Sequence, residues 1–218
     1  MTRPRVGTTI AWGVLAVTLS ACGSTTPVPG PTTNAPSGSP TSPAPASSAG
    51  TSSAPSPAVT ESNPPGDIPD NQAFVTYPGV SGHYAVEVPE GWARTSSGDS
   101  ASFSDKLNAI TAVETAAPSS PTVASASATQ VPALALSVPK FQLVKVATFT
   151  RAGGSGVLVT YLADSPANPV TGKVVRDAVE SFLFWRNGQL VTLSLSGPQS
   201  ADNVDPWAKV SGSFRWTP

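Results

Sequence analysis

The stretch from Gly23 to Pro69 is the feature that most restricts how this chain can fold. Its 47 residues include 12 Pro, 10 Ser, 7 Thr, 6 Ala and 5 Gly, and none of them is aromatic. Such a segment cannot bury enough apolar surface to offset the loss of chain entropy, so we expect it to be disordered. Fourteen of the 15 aromatic residues lie after Asn71. The sequence therefore predicts a single globular domain over residues 71–218.

The charge of the chain excludes one class of partner. Charged residues make up 11% of the sequence and the formal net charge is -1, whereas an average soluble domain is about one quarter charged. The basic residues are scattered along the chain and form no cluster. A nucleic-acid-binding surface needs a concentrated basic patch, so we expect no nucleic-acid partner.

The first 22 residues have the pattern of an export signal. Arg3 and Arg5 precede a mostly apolar run of 16 residues from Val6 to Ala21. This run is shorter than the roughly 20 residues of a membrane-spanning helix and fits the apolar region of a secretory signal peptide. The sequence Leu19-Ser20-Ala21-Cys22 resembles the lipobox of bacterial lipoproteins. That resemblance implies that Cys22 is diacylated and becomes the mature N-terminus. The alternative is a generic cleaved signal with an incidental cysteine.

These observations divide the chain into three parts: a signal peptide over residues 1–21, a lipidated Cys22 with a disordered linker over 22–70, and the domain over 71–218. Cys22 is the only cysteine, so the chain forms no intramolecular disulfide. Two acyl chains hold a protein stably at a membrane. We therefore expect an anchored protein on the extracytoplasmic face of the cell membrane. The linker is either a passive spacer, a segment that recognises a cell-wall component, or a glycosylated stretch.

Short β-branched and aromatic runs in the domain predict strands. The run His83–Val88 places Tyr84, Val86 and Val88 on one side of a strand. Two more runs, Phe141–Thr150 and Val157–Ala163, are joined through a Gly-rich segment over residues 151–156 and are typical of a hairpin.

The segment Val174–Arg186 fits one face of a helix as well as a strand. The turn that follows it decides between them, because Asn187-Gly188 is a preferred two-residue hairpin loop. Folding about this loop pairs Phe184 with Val191, Phe182 with Leu193 and Glu180 with Leu195. The opposite face of this hairpin is mixed, and it is either solvated or covered by a helix.

Two helices are also expected. Apolar residues recur at helical spacing at Val131, Leu134, Ala135 and Val138, with Pro132 near the start and Pro139 just past the end. Asp205-Pro206 fits an N-cap followed by proline at the first helical position, with Gly212 ending this second helix early. Strands and helices without βαβ alternation predict an α+β domain with an antiparallel β-sheet flanked by short helices. The stretch Ala116–Thr129 receives no assignment.

Two segments carry a family resemblance. Gly82–Trp92 resembles the opening strand of PsbP-like domains, which ends in Pro-x-Gly-Trp. The segment from Asp205-Pro206-Trp207 to Trp216 is similar to the last short helix and strand of these domains. The Pro/Ser-rich lipoprotein architecture resembles the LpqN-type lipoproteins of mycobacteria and their relatives. This resemblance implies an antiparallel sheet flanked by helices, used for accessory and binding roles, with no catalytic residue in common.

Catalytic and metal-binding patterns are weak. His83 is the only histidine, and Gly153–Val157 breaks the G-x-S-x-G pattern of a nucleophile elbow. The group Asp202-Asn203-Val204-Asp205 lacks the spacing of a calcium loop, and Glu87 and Glu90 carry no sign of a paired acid. We therefore expect that the protein is not an enzyme and binds no metal or cofactor. Catalysis by this chain would require His83 to lie beside a serine and an acid in one cleft.

The remaining signal is Trp185, which shares the mixed hairpin face with Leu183 and Leu190. This face is either packed or an exposed apolar patch that binds a partner. Lys173 and Arg176, just upstream, either form a polar rim to such a patch or keep an edge strand soluble. The leading hypothesis is a non-catalytic, membrane-anchored binding or accessory module with a protein partner at the cell envelope. The alternative is a carrier of a small hydrophobic or envelope-derived ligand, with an apolar cavity lined by Tyr161, Phe182, Phe184 or Trp185.

Overall fold

A computed structural model describes residues 64–168 and 170–218. The predicted signal peptide, the lipobox-like residues Leu19, Ser20, Ala21 and Cys22, and most of the predicted linker lie outside these residues. The described part of the chain contains ten strands. They are β1 (Phe74–Pro78), β2 (Tyr84–Pro89), β3 (Ala93–Ser97), β4 (Ser100–Asp105), β5 (Asn108–Ala116), β6 (Gln142–Arg151), β7 (Gly154–Asp164), β8 (Arg176–Arg186), β9 (Gln189–Pro198) and β10 (Arg215–Trp216).

The helices are α1 (Val123–Ser125), α2 (Val131–Ser137) and α3 (Val204–Ser213), and a π-helical turn (Ala126–Gln130) joins α1 to α2. We refer to residues 123–137 as the covering helix. Thr122 caps its N-terminus, because the Thr122 hydroxyl accepts a hydrogen bond from the Ser125 N–H at 3.1 Å. Among the helices of the described residues, none is long and apolar enough to span a membrane.

The strands form two antiparallel sheets. Within residues 64–168 and 170–218, the large sheet has seven strands in the order β3-β4-β5-β9-β8-β7-β6, and the small sheet has the order β1-β2-β10. Helix α3 follows β9, and the covering helix connects β5 to β6. The domain is therefore an α+β domain with antiparallel sheets flanked by short helices, as the sequence predicts.

The hairpin at Asn187-Gly188 is confirmed with its register. Phe184 pairs with Val191, Phe182 with Leu193 and Glu180 with Leu195. Asn187 has φ 50° and Gly188 φ 85°, the positive values that a two-residue turn between twisted strands requires. The hairpin of β6 and β7 is also confirmed, and its turn is tighter than predicted because Arg151 pairs directly with Gly154.

One face of the large sheet packs against the small sheet and α3. An aromatic cluster joins the three elements, with ring centroids 3.9 Å apart for Phe184 and Phe214 and 4.8 Å apart for Phe149 and Phe184. Phe214 also stacks on Tyr84 of β2. The side chains of Tyr84, Val86 and Val88 are buried on this side, as the alternation in the sequence predicts.

The covering helix packs on the opposite face of the large sheet. Ala126 is buried there with Leu183, and Val131 and Leu134 pack against the same cluster. The predicted helix around Val131 is therefore confirmed, but the helical segment begins earlier, inside the stretch that sequence reasoning leaves unassigned. That stretch is rich in Ser, Ala and Thr and has no apolar residues recurring at helical spacing, since Ala126 is its one buried residue within the helical segment.

Two predicted boundaries differ in the structure. Helix α3 begins at Val204 with Asn203 as its N-cap, two residues before the predicted cap Asp205, and it continues through Gly212 to Ser213. The Asn203 side chain accepts the Ile68 N–H at 2.9 Å and donates to the Gly66 carbonyl at 3.0 Å. This network fixes the start of α3. It also packs residues 66–68, which fall in the predicted linker, against the domain.

Alanine substitution at two glycines is expected to change the stability of the domain in different ways. A Cβ at Gly156 would lie 2.1 Å from the Leu183 carbonyl oxygen and 2.9 Å from the Phe149 ring, whereas a Cβ at Gly212 in α3 meets no atom within 4 Å. We expect Gly156→Ala to lower the free energy of unfolding by about 2–3 kcal/mol through overpacking. The control Gly212→Ala should be neutral or raise it by up to about 1 kcal/mol. Urea denaturation of both variants checks this, and equal effects would contradict the close packing of β7 on β8.

Candidate functional site

A cavity of about 430 Å³ lies on the covering-helix face of the large sheet, at the end where two connections meet. The β4–β5 turn supplies Lys106, and the connection between β7 and β8 supplies Lys173. Asp177 of β8 and Ser196 of β9 form part of its wall. We call this space the Asp177 cavity, and it is open to solvent on one side.

Asp177 is the chemically unusual residue in this cavity. Its side chain is only 8% exposed, and its Oδ1 atom is buried with no hydrogen-bond partner among the described residues. Buried polar atoms in folded proteins are nearly always hydrogen-bonded, because an unpaired one loses its hydration without compensation. Asp177 Oδ1 is therefore an exception to this rule, in a residue that lines an open cavity.

The polar groups around Asp177 are engaged elsewhere. The Asn108 amide donates to the Gly66 carbonyl at 2.7 Å. The Ser165 hydroxyl accepts the Val175 N–H at 3.0 Å and donates to the Pro166 carbonyl at 3.1 Å. These neighbouring side chains thus bind backbone groups, and none of these hydrogen bonds involves the carboxyl of Asp177.

The nearest guanidinium group is also committed. Arg176 donates to Asp164 Oδ1 at 3.1 Å, to the Lys140 carbonyl at 2.7 Å and to Gln142 Oε1 at 3.1 Å. Successive residues of a strand point to opposite faces, so Arg176 faces away from Asp177. The guanidinium holds β7, β8 and the start of β6 together and does not neutralise Asp177.

This environment changes the acidity of Asp177. Burial raises the pKa of its carboxyl from 3.8 to about 6, and the nearby negative charge of Asp164 contributes in the same direction. A pKa raised by desolvation marks a group whose charge the fold does not compensate. Perturbed acids of this kind concentrate at binding and catalytic sites.

A second cavity, of about 300 Å³, lies between α3 and the other face of the large sheet. Its wall includes Arg151, Glu180 and Trp207. Burial raises the pKa of Glu180, and the positive charge of Arg151 opposes that effect. A positive charge therefore opposes the effect of burial at Glu180, whereas at Asp177 burial and the charge of Asp164 act in the same direction.

His83, the one histidine, meets an acid and a serine in the structure. His83 Nδ1 lies 2.7 Å from Glu114 Oε1, and the Ser81 hydroxyl donates to Glu114 Oε2. The acid lies between the other two groups, so the serine is bonded to the carboxylate instead of the imidazole. In a nucleophilic triad the histidine must contact the serine. This cluster therefore links the β1–β2 connection to β5 and does not have the arrangement of an activated serine.

The predicted binding surface of Leu183, Trp185 and Leu190 is largely covered. Leu183 is 1% exposed under the covering helix, so this residue does not belong to a surface. Trp185 and Leu190 are half-buried, and the Trp185 indole N–H donates to the Ala117 carbonyl at 2.9 Å. The helix-covered alternative for this hairpin face is the one that the structure shows.

Lys173 lines the Asp177 cavity. The other candidate site residues from the sequence analysis do not line it. Glu90 and Asp205 are exposed, and Glu87 is half-buried on β2. Within residues 64–168 and 170–218, no group of three or more His, Cys, Asp or Glu side chains could hold a metal ion.

Sequence reasoning missed Asp177 and Lys106. A signal for Asp177 was present, because in β8 it shares a face with Val179, Ser181 and Leu183, all of which are buried. A charged residue in an inward-facing position of a strand is rare unless it has a partner or a role.

Comparison with known proteins finds similarity in structure only. No family model and no curated protein matches the sequence. The chain is similar to PsbP (CyanoP) from Synechocystis sp. PCC 6803, with 15% identity and a TM-score of 0.49 over 67% of this chain and 94% of that chain. It is also similar to the Ran-binding protein Mog1p of Saccharomyces cerevisiae, with 11% identity and a TM-score of 0.42 over 66% of this chain and 95% of that chain.

The raised pKa of Asp177 predicts how stability depends on pH. The unfolded chain releases this proton near pH 3.8 and the folded chain near pH 6, so ionisation of Asp177 destabilises the fold progressively from about pH 4 to pH 6. One pKa unit corresponds to about 1.4 kcal/mol. Relative to the wild type, we expect Asp177→Asn to gain about 2–3 kcal/mol in free energy of unfolding between pH 4 and pH 7.

Urea denaturation of the full chain at several pH values checks this prediction. Asp99→Asn is the matched control, because Asp99 is an exposed aspartate in a turn. The difference between Asp99→Asn and the wild type should stay constant over the same pH range. Parallel curves for Asp177→Asn and the wild type would show that the carboxyl is solvated in the folded protein.

Proposed function

We propose that this protein is a non-catalytic binding module, held on the outer face of the cell membrane by a lipid on Cys22, with the Asp177 cavity as its ligand site. The observation that carries the proposal is the buried Oδ1 atom of Asp177, which has no hydrogen-bond partner in residues 64–168 and 170–218 and belongs to a residue in the wall of an open cavity of about 430 Å³. A cavity of this size with a few convergent polar groups is typical of a small-molecule site.

The anchor is supported by the sequence. A charged start, a short apolar run and Leu19-Ser20-Ala21-Cys22 follow one another in the order of a lipoprotein signal. The Pro/Ser-rich linker that follows would average about 40 Å end to end as a flexible coil. That length lets the domain meet a protein partner or a ligand at the cell envelope while Cys22 stays in the bilayer.

The alternative of a carrier for an apolar ligand requires an apolar cavity among the aromatic side chains. Phe182 and Phe184 are at most 1% exposed and pack against Phe149 and Phe214. Tyr161 is 7% exposed and packs against Phe141. These rings fill the space that an apolar ligand would need, which favours a polar ligand at the Asp177 cavity over an apolar one in the core.

The ligand site is tested by native mass spectrometry of the full chain, isolated from its own cell envelope in mild detergent. We expect a discrete mass excess of metabolite size on the wild type and on Asp99→Asn. Asp177→Asn should lose this excess, because it removes the charge while preserving the shape of the side chain. A bare mass for the wild type, or an excess that Asp177→Asn retains, would overturn the assignment of the cavity.

The anchor is tested by Cys22→Ala. Removal of the acylated thiol should release the protein from the membrane fraction or leave it as an unprocessed precursor, because one apolar run of 16 residues does not span the bilayer. Cell fractionation with immunoblotting and intact-mass analysis measures both. Ser20→Thr serves as a control substitution beside the modified residue. A Cys22→Ala variant of mature mass that stays in washed membranes would contradict the anchor.

A further inference from the structure

We propose that the Asp177 cavity takes a small zwitterion, whose ammonium group binds the carboxylate of Asp177 and whose anionic group lies toward Lys106 and Lys173. This inference rests on the proposed function, because it names the ligand class of the same site. It follows from the buried carboxyl of Asp177, the apolar residues in the cavity wall and the presence of two lysines in the same wall.

The burial of the Asp177 carboxyl indicates that the ligand carries an ammonium group. Asp177 is 8% exposed and its Oδ1 lacks a donor among the described residues. A neutral hydroxyl donor would satisfy the oxygen but leave a negative charge in a desolvated place. A cation supplies both the hydrogen bond and the opposite charge, and charge-assisted hydrogen bonds are the stronger kind.

The residues in the cavity wall indicate what the middle part of the ligand is like. Four apolar residues line the cavity together with Asp177 and the two lysines, namely Leu107, Ala109, Pro166 and Val175. Such walls fit a short alkyl or similarly apolar spacer, while a strongly hydrated inorganic cation would lose its water there without replacement.

The two lysines of the cavity indicate that the ligand also carries an anionic group. Lys106 comes from the β4–β5 turn and Lys173 from the β7–β8 connection, and both line the cavity. Asp105 lies beside Lys106, with 3.8 Å between Lys106 Nζ and Asp105 Oδ2, and both side chains are well exposed. Two positive charges at one site disfavour a simple amine or a diamine, and they favour a ligand with an anionic group at its far end.

The probes are ω-amino acids of increasing length, namely glycine, 4-aminobutyrate and 6-aminohexanoate, with hexylamine and hexanoate as single-charge controls. Isothermal titration calorimetry uses the full chain in mild detergent at pH 7.5. We expect at least one ω-amino acid to bind at least tenfold more tightly than hexanoate. Asp177→Asn should weaken that binding at least tenfold, and Asp99→Asn should leave it unchanged.

A double variant, Lys106→Gln with Lys173→Gln, tests the anionic end. It should weaken the ω-amino acid about three- to tenfold and strengthen hexylamine, because the same charges attract a carboxylate and repel a lone ammonium. This opposite response separates binding from a general loss of folding, which would weaken both probes. Equal responses of the two probes would overturn the zwitterion.

The pH dependence gives an independent readout. The pKa of Asp177 is about 6 in the unbound protein, and the charged groups around it are Lys106, Lys173 and Asp164, the last of which is paired with Arg176. Binding of an ammonium group to the ionised carboxyl should weaken up to about tenfold per pH unit as the pH falls below 6. Affinity that stays constant from pH 7.5 to pH 5 would contradict the ion pair.

The outcomes distinguish the two proposals. If the protein from its own envelope carries a mass excess that depends on Asp177 but no ω-amino acid binds, the zwitterion is wrong and the ligand site stands. If no mass excess depends on Asp177 and no probe binds, both are wrong.

Discussion

The register of β8 against β9 is the constraint on which the rest of the domain depends. It places Phe182 and Phe184 against α3 and the small sheet, and it places Leu183 and Asp177 on the face below the covering helix and the cavity. Because strand side chains alternate, a slip of one residue would exchange these two sets. The Asn187-Gly188 turn fixes this register locally, with backbone angles that Asn and Gly adopt at little cost.

The Asp177 cavity also depends on this register, because residues distant in sequence come together to form its wall. Asp177 is directed to a face that the covering helix shields only in part, at the end where the β4–β5 turn and the β7–β8 connection approach each other. Asn108 and Asn203 brace this end, with 3.0 Å between Asn203 Nδ2 and Asn108 Oδ1. These two amides satisfy each other and the Gly66 carbonyl, so the fold is complete around Asp177 without using its charge.

Local patterns in the sequence were enough to predict the central hairpin, its pairing and the inward face of β2, since turn chemistry and alternation act between residues close in the chain. The covering helix was only half predicted, because its first part is small and polar and is held by Thr122 and by the burial of Ala126. The candidate site was not predicted. Lys106, Lys173 and Asp177 meet only after strands distant in sequence pair, and nothing local to any one of them encodes that meeting.

A buried carboxyl without a donor costs stability, and the chain had simple ways to avoid it, such as an asparagine or a serine at the same position. Strain of this kind is compensated by the rest of the fold and concentrates where a protein meets a ligand. Binding and folding are then linked through one group: a bound cation would lower the pKa of Asp177 and return the stability that its ionisation removes. In the free domain, the destabilisation contributed by Asp177 would be complete above about pH 6, and a bound cation would reverse it.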